Sequence, residues 1–435
     1  MKCNTLALFG GSPVLAKPFP VWTWPPCYEE MGKAVANYVS GNQPLSIQGR
    51  DGVIADCEDL FNQHFHRKHS VLCSSGTMAL YSAYFALNVK PGDEIICTTI
   101  TYHATATAAL HLGALVRLVD VEPETGNIDI DRVADAINHR TVAVASNAMW
   151  GHPVDQFRLR HLCDRHRIAW IEDFSHAHFS STKTPKSNNT LDDSIFETDI
   201  TTPVGSLGDI SCCSLQGNKF VTGGEAGILL TNSDEFHDRA VLLGHNLLRS
   251  QTCVIDPNYA PISRTGYGLK LRCHPLAAVM IREQLNNHVN QWISERTDSL
   301  TRLSDALHEL PGIRPPVIRE YVSSMGAWYG YKPWVDWSVL NVSREQVVMA
   351  LRAENLDVDI PGSPALHRLS IFDPDTFPIL QFEKYDNRGN EFPNADSYSK
   401  GTLSLPTFTG LRDEVRLQSM IEGFQKVWSN LELLG

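Results

Sequence analysis

The sequence has no CxxC pair, no HExxH, no GxGxxG, no P-loop and no apolar run long enough to cross a membrane. Each absence removes a class of function. Without paired spacing, the ten cysteines outline neither a zinc framework nor a disulfide pattern. Without GxGxxG or a P-loop, nicotinamide and nucleoside-triphosphate chemistry lose their usual phosphate cradles. Lys and Arg are unclustered and number 37 against 49 Asp and Glu. The resulting formal net charge of -12 argues against binding a nucleic-acid backbone. The apolar run Leu6 to Phe9 stops at Gly10 and Gly11, too short for a secretory h-region or a span. The expectation is a cytoplasmic protein with reduced thiols. Histidine is not scarce. Its densest stretch, "HFHRKH" from His64 to His69, reads as the end of an amphipathic helix rather than a metal site, because cations suit that end of the dipole.

What is present is an ordinary globular composition over 435 residues, enough chain for two or three domains with a sizeable core. From about Ser70, short apolar runs alternate with helical ones. "SVLCS", "DEIICTTI", "LVRLVDV", "TVAVASNAM" and "IAWIEDFS" read as strands. "TMALYSAYFAL", "ATATAALHLG", "DIDRVADAI" and "DQFRLRHLCDRH" read as the helices between them. "DISCCSLQ" and "AGILLTN" add two strands before a helix near Asp234. This pattern predicts crossover units around a mostly parallel sheet, buried on both faces, in a large α/β domain over residues 51–285. After about Arg282 a long helical stretch leads into "PGIRPP" and shorter elements, which predicts a smaller α+β domain over residues 286–435. Residues 1–50, rich in Pro and Trp, read as an arm, and Thr182 to Pro203 as a polar loop or flap.

Open parallel sheets bind ligands at the C-terminal ends of their strands. After the first strand comes "SSGT", Ser74 to Thr77, a small-residue turn opening a helix, which suits a phosphate. After the second comes Tyr102, which can stack on a flat ring or simply pack in the core. After the fifth comes "IEDFSHAH", whose Asp173 follows a run of apolar residues and is expected to be largely buried. A buried carboxylate needs a cationic partner or several donors to stay ionised. Finally, "SLQGNKFVTGGEAG" sets Ser214 and Lys219 just past another strand end. A phosphate cradle, an aromatic platform, a buried carboxylate and a lysine are together what pyridoxal phosphate uses.

On these motifs the chain resembles the DegT-type pyridoxal-phosphate sugar aminotransferases, which share the aspartate aminotransferase fold. The likeness runs from "LFGGSPVLAKPFPVW" through "SSGTMAL", "WGHPVD", "IEDFSHAHF" and "GSLGDISCCSLQGNKFVTGGEAG" to "HPLAA". It implies that Lys219 is the Schiff-base lysine and proton shuttle, Asp173 the pyridinium partner, and His176 the residue near the ring hydroxyl. It implies that Tyr102 stacks on the ring and that Gly76, Thr77 and Ser214 cradle the phosphate. Relatives that dehydrate sugars carry histidine in place of that lysine, so Lys219 favours amino transfer. Two stretches depart from the family pattern. Phe179 to Ser206 is longer than the usual hairpin. The common "NYRM", whose Asn reaches the partner subunit's phosphate, is replaced by "GLKLRCHPLAA", where Lys270 or Arg272 is the candidate substitute. The implied protein is a homodimer that moves an amino group from an amino acid, glutamate or glutamine, to a keto-sugar, keto-cyclitol or related polyol. Its rivals are elimination, β-substitution or decarboxylation on the same scaffold, and a non-catalytic regulator that keeps the pocket.

Overall fold

Alternation of short apolar runs with helices leaves few ways to bury both faces of a strand, and the chain takes the expected one. The computed structural model describes residues 5–19, 24–185, 196–373, 387 and 391–435. After α1 (Tyr28–Ser40) and α2 (Gly52–Phe65) come β1 (His69–Cys73), α3 (Gly76–Ala86), β2 (Glu94–Thr98) and α4 (Ala104–Leu110). Next are β3 (Leu115–Val119), α5 (Ile130–Ala136), β4 (Thr141–Asn147), α6 (Gln156–His166) and β5 (Ala169–Asp173). A hairpin, β6 (Ser181–Pro185) and β7 (Phe196–Pro203), then intervenes before β8 (Ile210–Ser214), β9 (Gly227–Thr231), α7 (Asp234–Gly244) and α8 (Leu248–Cys253).

Seven strands form one sheet in the order β1-β9-β8-β5-β4-β2-β3, with only β9 running against the rest. Successive strand residues point to opposite faces, so each strand feeds two apolar layers. Along β2, Ile95 and Cys97 join the layer under α3 and α4, while Ile96 joins the one under α5 and α6. The adjacent Cys212 and Cys213 likewise fall in opposite layers. Each fully buried Val, Ile or Leu contributes about 1.5–3 kcal/mol, which is why these strands are apolar throughout rather than alternating.

The second half adds α9 (Pro275–Asn287), α10 (Val289–His308), β10 (Ile313–Arg314), β11 (Val322–Ser324) and β12 (Trp334–Val335). It ends with α11 (Trp337–Leu340), α12 (Arg344–Ala353), α13 (Pro393–Gly401) and α14 (Glu414–Trp428). The expected single long helix is in fact two. "HPLAA" starts α9 early, with the His274 side chain accepting from the Leu276 N–H at 3.1 Å and Pro275 at the first helical position, which its fixed φ suits. His288, at φ -128° and ψ -32°, then breaks the run. Leu300, Leu303 and Leu307 of α10 pack with Val347 and Leu351 of α12 and Phe424 and Val427 of α14 in a separate core. Leu6 is fully buried in that same core. Glu354 fixes the N-terminal segment there by accepting from the backbone N–H groups of Ala7 (2.8 Å) and Val14 (2.9 Å).

The segment read as a loop or flap differs from expectation. Its two arms are the strands β6 and β7, and β11 extends them into a three-stranded sheet. Its polarity concealed the strands, but Thr is β-branched and its backbone is satisfied by the ladder. Thr182 is buried between its neighbours. Residues 186–195, between β6 and β7 in the sequence, lie outside the described residues. Among the described residues no helix is long and apolar enough to cross a membrane.

Candidate active site

The parallel strands end on one edge of the sheet, and there a cavity of about 630 Å³ opens. Gly76, Thr77, Tyr102, Asp173, His176, Ser214 and Lys219 all line it. Its opposite wall comes from the second half of the chain, through Tyr329, Lys332 and residues 361–365.

The floor of the cavity is the start of α3. Ser75 caps the helix by accepting from the Met78 N–H at 3.2 Å. That leaves the Gly76 and Thr77 N–H groups without an acceptor inside the helix, at the positive end of its dipole. Gly76 has no room for a side chain, since a Cβ would lie 2.6 Å from Ser214 Cβ. Its absence lets the Ser214 hydroxyl stand beside the helix N-terminus. The combination suits a dianionic phosphate.

Asp173 ends β5 and is 3% exposed. Its Oδ1 accepts from the Ser175 N–H at 3.0 Å and its Oδ2 from the Thr105 hydroxyl at 2.8 Å. Because Thr105 gives its only proton to the carboxylate, the Thr101 hydroxyl, 2.9 Å away, must donate to Thr105. This relay from the start of α4 fixes the carboxylate's orientation.

Lys219 sits in the β8–β9 connection and is 8% exposed, with its ammonium 4.2 Å from the centre of the Tyr329 ring. Burial pushes its pKa down to about 8, with Asp173 and Cys213 pulling the other way. His178 holds this loop. The Val221 N–H donates to its Nδ1 at 3.3 Å, so the proton is on Nε2, which donates to the Ser214 carbonyl at 3.1 Å. One neutral ring thus ties together the segment on both sides of Lys219, and burial keeps its pKa near 3, lowered to about that value with help from Lys219.

His176 stacks on Tyr329, ring centres 3.9 Å apart, and on Trp150 at 5.3 Å. Burial first, then the charge of Lys219, holds its pKa well below the usual imidazole value. Its Nδ1 and the Oδ1 of Asn147 are buried polar atoms with no partner in the protein. Such atoms are costly unless a ligand completes them. Both line the cavity, and they fit the polar substituents of a pyridoxal ring. Tyr102 lies at the rim and is 55% exposed.

Several lining residues were not foreseen. Asn147 ends β4, a strand read from its pattern, so the strand-end rule applied there points straight at it. Trp150 follows at φ 56°, a left-handed conformation that a bulky residue adopts only under constraint, which is a common mark of a working site. Tyr329 and Lys332 carry no local signal. Lys270 and Arg272 do not line this cavity. They pair with His245 and Cys73 in an extended segment beside β1, with the buried Leu271 between them, so both side chains leave on one side. Lys270 is exposed, and Arg272 is half-buried with Nη1 lacking a partner.

Comparison with known proteins gives the same family as the motifs. The chain is 27% identical over 353 residues to the spore coat polysaccharide biosynthesis protein SpsC of Bacillus subtilis, covering 80% of this chain and 82% of that one. It is 28% identical over 398 residues to a provisionally named L-glutamine:3-amino-2,3-dideoxy-scyllo-inosose aminotransferase of Streptoalloteichus tenebrarius, covering 89% and 88%. The crystal structure of an aminotransferase from Psychrobacter cryohalolentis superposes with a TM-score of 0.80 at 22% identity, over 95% of this chain and all of that one, which shows the shared fold. The model of the DegT/DnrJ/EryC1/StrS aminotransferase family matches residues 30–424, and the chain belongs to that family.

Proposed function

We propose that this chain transfers an amino group from L-glutamine or L-glutamate to a keto-sugar or keto-cyclitol, with pyridoxal phosphate held in the cavity described above. The observation that carries the reading is a buried lysine of pKa about 8 in one cavity with a donor-fixed carboxylate and a free helix N-terminus. The cofactor, when bound, supplies an electron sink for the carbon that loses its hydrogen. The chain does the rest. Gly76, Thr77 and Ser214 hold the phosphate, and Asp173 keeps a proton on the ring nitrogen. His176 meets the ring hydroxyl and Tyr102 covers the ring face. Lys219 would hold the cofactor and would carry the proton to and from the donor's Cα.

The test needs no acceptor. L-glutamine or L-glutamate alone is expected to remove the visible absorbance of the yellow protein and release one equivalent of the matching oxo acid. Release of ammonia with pyruvate, or of carbon dioxide, from an amino acid with no oxo acid of the donor would replace this reading by elimination or decarboxylation.

The reading includes a homodimer in which Lys270 or Arg272 of one copy reaches the phosphate of the other. A phosphate dianion is best met by charged donors as well as backbone N–H groups. Of the two single Ala variants, the one that removes this contact is expected to weaken cofactor binding by about 10- to 100-fold and to link cofactor loss to dissociation of the dimer. Unchanged affinity in both would discard the cross-subunit contact.

A further inference from the structure

The cavity holds a second lysine that the proposed chemistry does not use. Lys332 lies on the wall opposite the sheet, with its ammonium 4.6 Å from the centre of the Trp150 ring and donating to the Ser404 hydroxyl. Trp150 is the residue held in a left-handed conformation, and its ring stacks on His176. Both Lys332 and Lys219 act on that one imidazole, which places the two cations around the same reacting region. No carboxylate among the described residues forms an ion pair with Lys332. The nearest that acts on it, Asp359, is bound by Arg352 at 2.6 Å. Burial lowers its pKa to about 8, so at neutral pH it remains mostly charged.

A half-buried cation in a cavity with only a hydroxyl and a ring for company is poorly compensated, and a ligand's anion would complete it. Of the two lysines lining the cavity, Lys219 is committed to the cofactor and the proton. We infer that Lys332 is the donor-binding cation of this site, pairing with the α-carboxylate of the amino acid. This rests on the transamination reading above. An α-carboxylate is one bond from the carbon that loses its hydrogen, so its partner must stand close to the groups that meet the cofactor, and Lys332 lies over Trp150, which stacks on His176. The diphosphate of a nucleotide-linked sugar is separated from a ring keto group by several bonds and belongs further out. Ser404 orients the ammonium, and the Trp150 face replaces part of its lost hydration.

The experiment uses the holoenzyme and follows its visible absorbance with L-glutamine and with the α-amide of L-glutamine, which lacks the anion. Wild type is expected to saturate with L-glutamine at a concentration about 100-fold lower than with the amide. Lys332→Met, which keeps most of the length of the side chain and removes its charge, is expected to raise the L-glutamine constant by about 100-fold while leaving that for the amide unchanged. Lys332→Arg restores part of the discrimination, and cofactor absorbance confirms that each variant is folded. Equal discrimination in wild type and Lys332→Met would overturn the inference. So would a Lys332→Met variant that discriminates normally but no longer binds UDP or GDP as a dead-end ligand, since the cation would then serve the acceptor's diphosphate. Wild type that responds to neither L-glutamine nor L-glutamate would instead overturn the transamination reading itself.

Discussion

Lys219→Ala is expected to abolish turnover, by on the order of 10⁴-fold or more, in a protein that still takes up pyridoxal phosphate. The loss is large because one side chain serves twice. In the proposed reaction it would bind the cofactor covalently and afterwards serve as the base and acid at the donor's Cα. Burial prepares it for the second task. With its pKa lowered from the ordinary lysine value to about 8, roughly a tenth of the amine is neutral at pH 7, instead of a few parts in ten thousand. Lowering the pH through 8 protonates it further, so the rate of the donor half-reaction falls on the acid side of about pH 8. Binding survives the substitution because the start of α3, Ser214 and Asp173 are untouched. Truncation leaves space beside Tyr329 and removes the cation that faces Asp173, whose carboxylate keeps its two donors. Borohydride reduction of wild type followed by peptide mass spectrometry is expected to place the adduct on Lys219. The sharp alternative is Lys332, half-buried in the same cavity with its pKa lowered to a similar value. An adduct there would exchange the roles assigned to the two lysines.

How far the sequence discloses this arrangement depends on the range of the interactions involved. The alternation of strands and helices is local, carried by apolar runs and turn residues, and it foretells the sheet and the lining residues Gly76, Thr77, Tyr102, Asp173, Ser214 and Lys219, while His176 enters only through the family resemblance. Each stands at a strand end or a helix start, where backbone geometry already dictates direction. The Thr101–Thr105 relay to Asp173 is visible only afterwards, because it joins the start of α4 to the end of β5, 68 residues further along the chain. Tyr329, Lys332 and residues 361–365 reach the cavity from a part of the chain more than a hundred residues beyond Lys219, folded back by the packing of α9 and α10. No periodicity records that closure. The β6–β7 hairpin was hidden for a different reason. Its Thr-rich arms satisfy the ladder with backbone groups and so lack the apolar signature of the central strands.

Asp173→Asn separates charge from shape. The Ser175 N–H can only donate, so the amide oxygen must take the Oδ1 place and the amide nitrogen the Oδ2 place. The Thr105 hydroxyl can then rotate to accept from that nitrogen and return its own proton toward Thr101. Every buried polar atom keeps a partner, and the fold and the cavity are expected to persist. An amide can donate to the ring nitrogen of the cofactor but cannot hold a proton on it. The ring would then be bound in its neutral form, which is a weaker electron sink. The expected result is retained cofactor content with the donor half-reaction slowed by about 100- to 1,000-fold, the scale of losing one preorganised electrostatic contact in a water-poor site. The effect should fall on the limiting rate rather than on the donor concentration needed for saturation, because in the proposed site Asp173 would meet the ring and not the donor. A variant as fast as wild type would make the carboxylate structural and leave its relay as a packing device. A variant that loses the cofactor altogether would mean that the charge anchors the ring instead of tuning it, and equilibrium binding of pyridoxal phosphate to the cofactor-free protein distinguishes these outcomes.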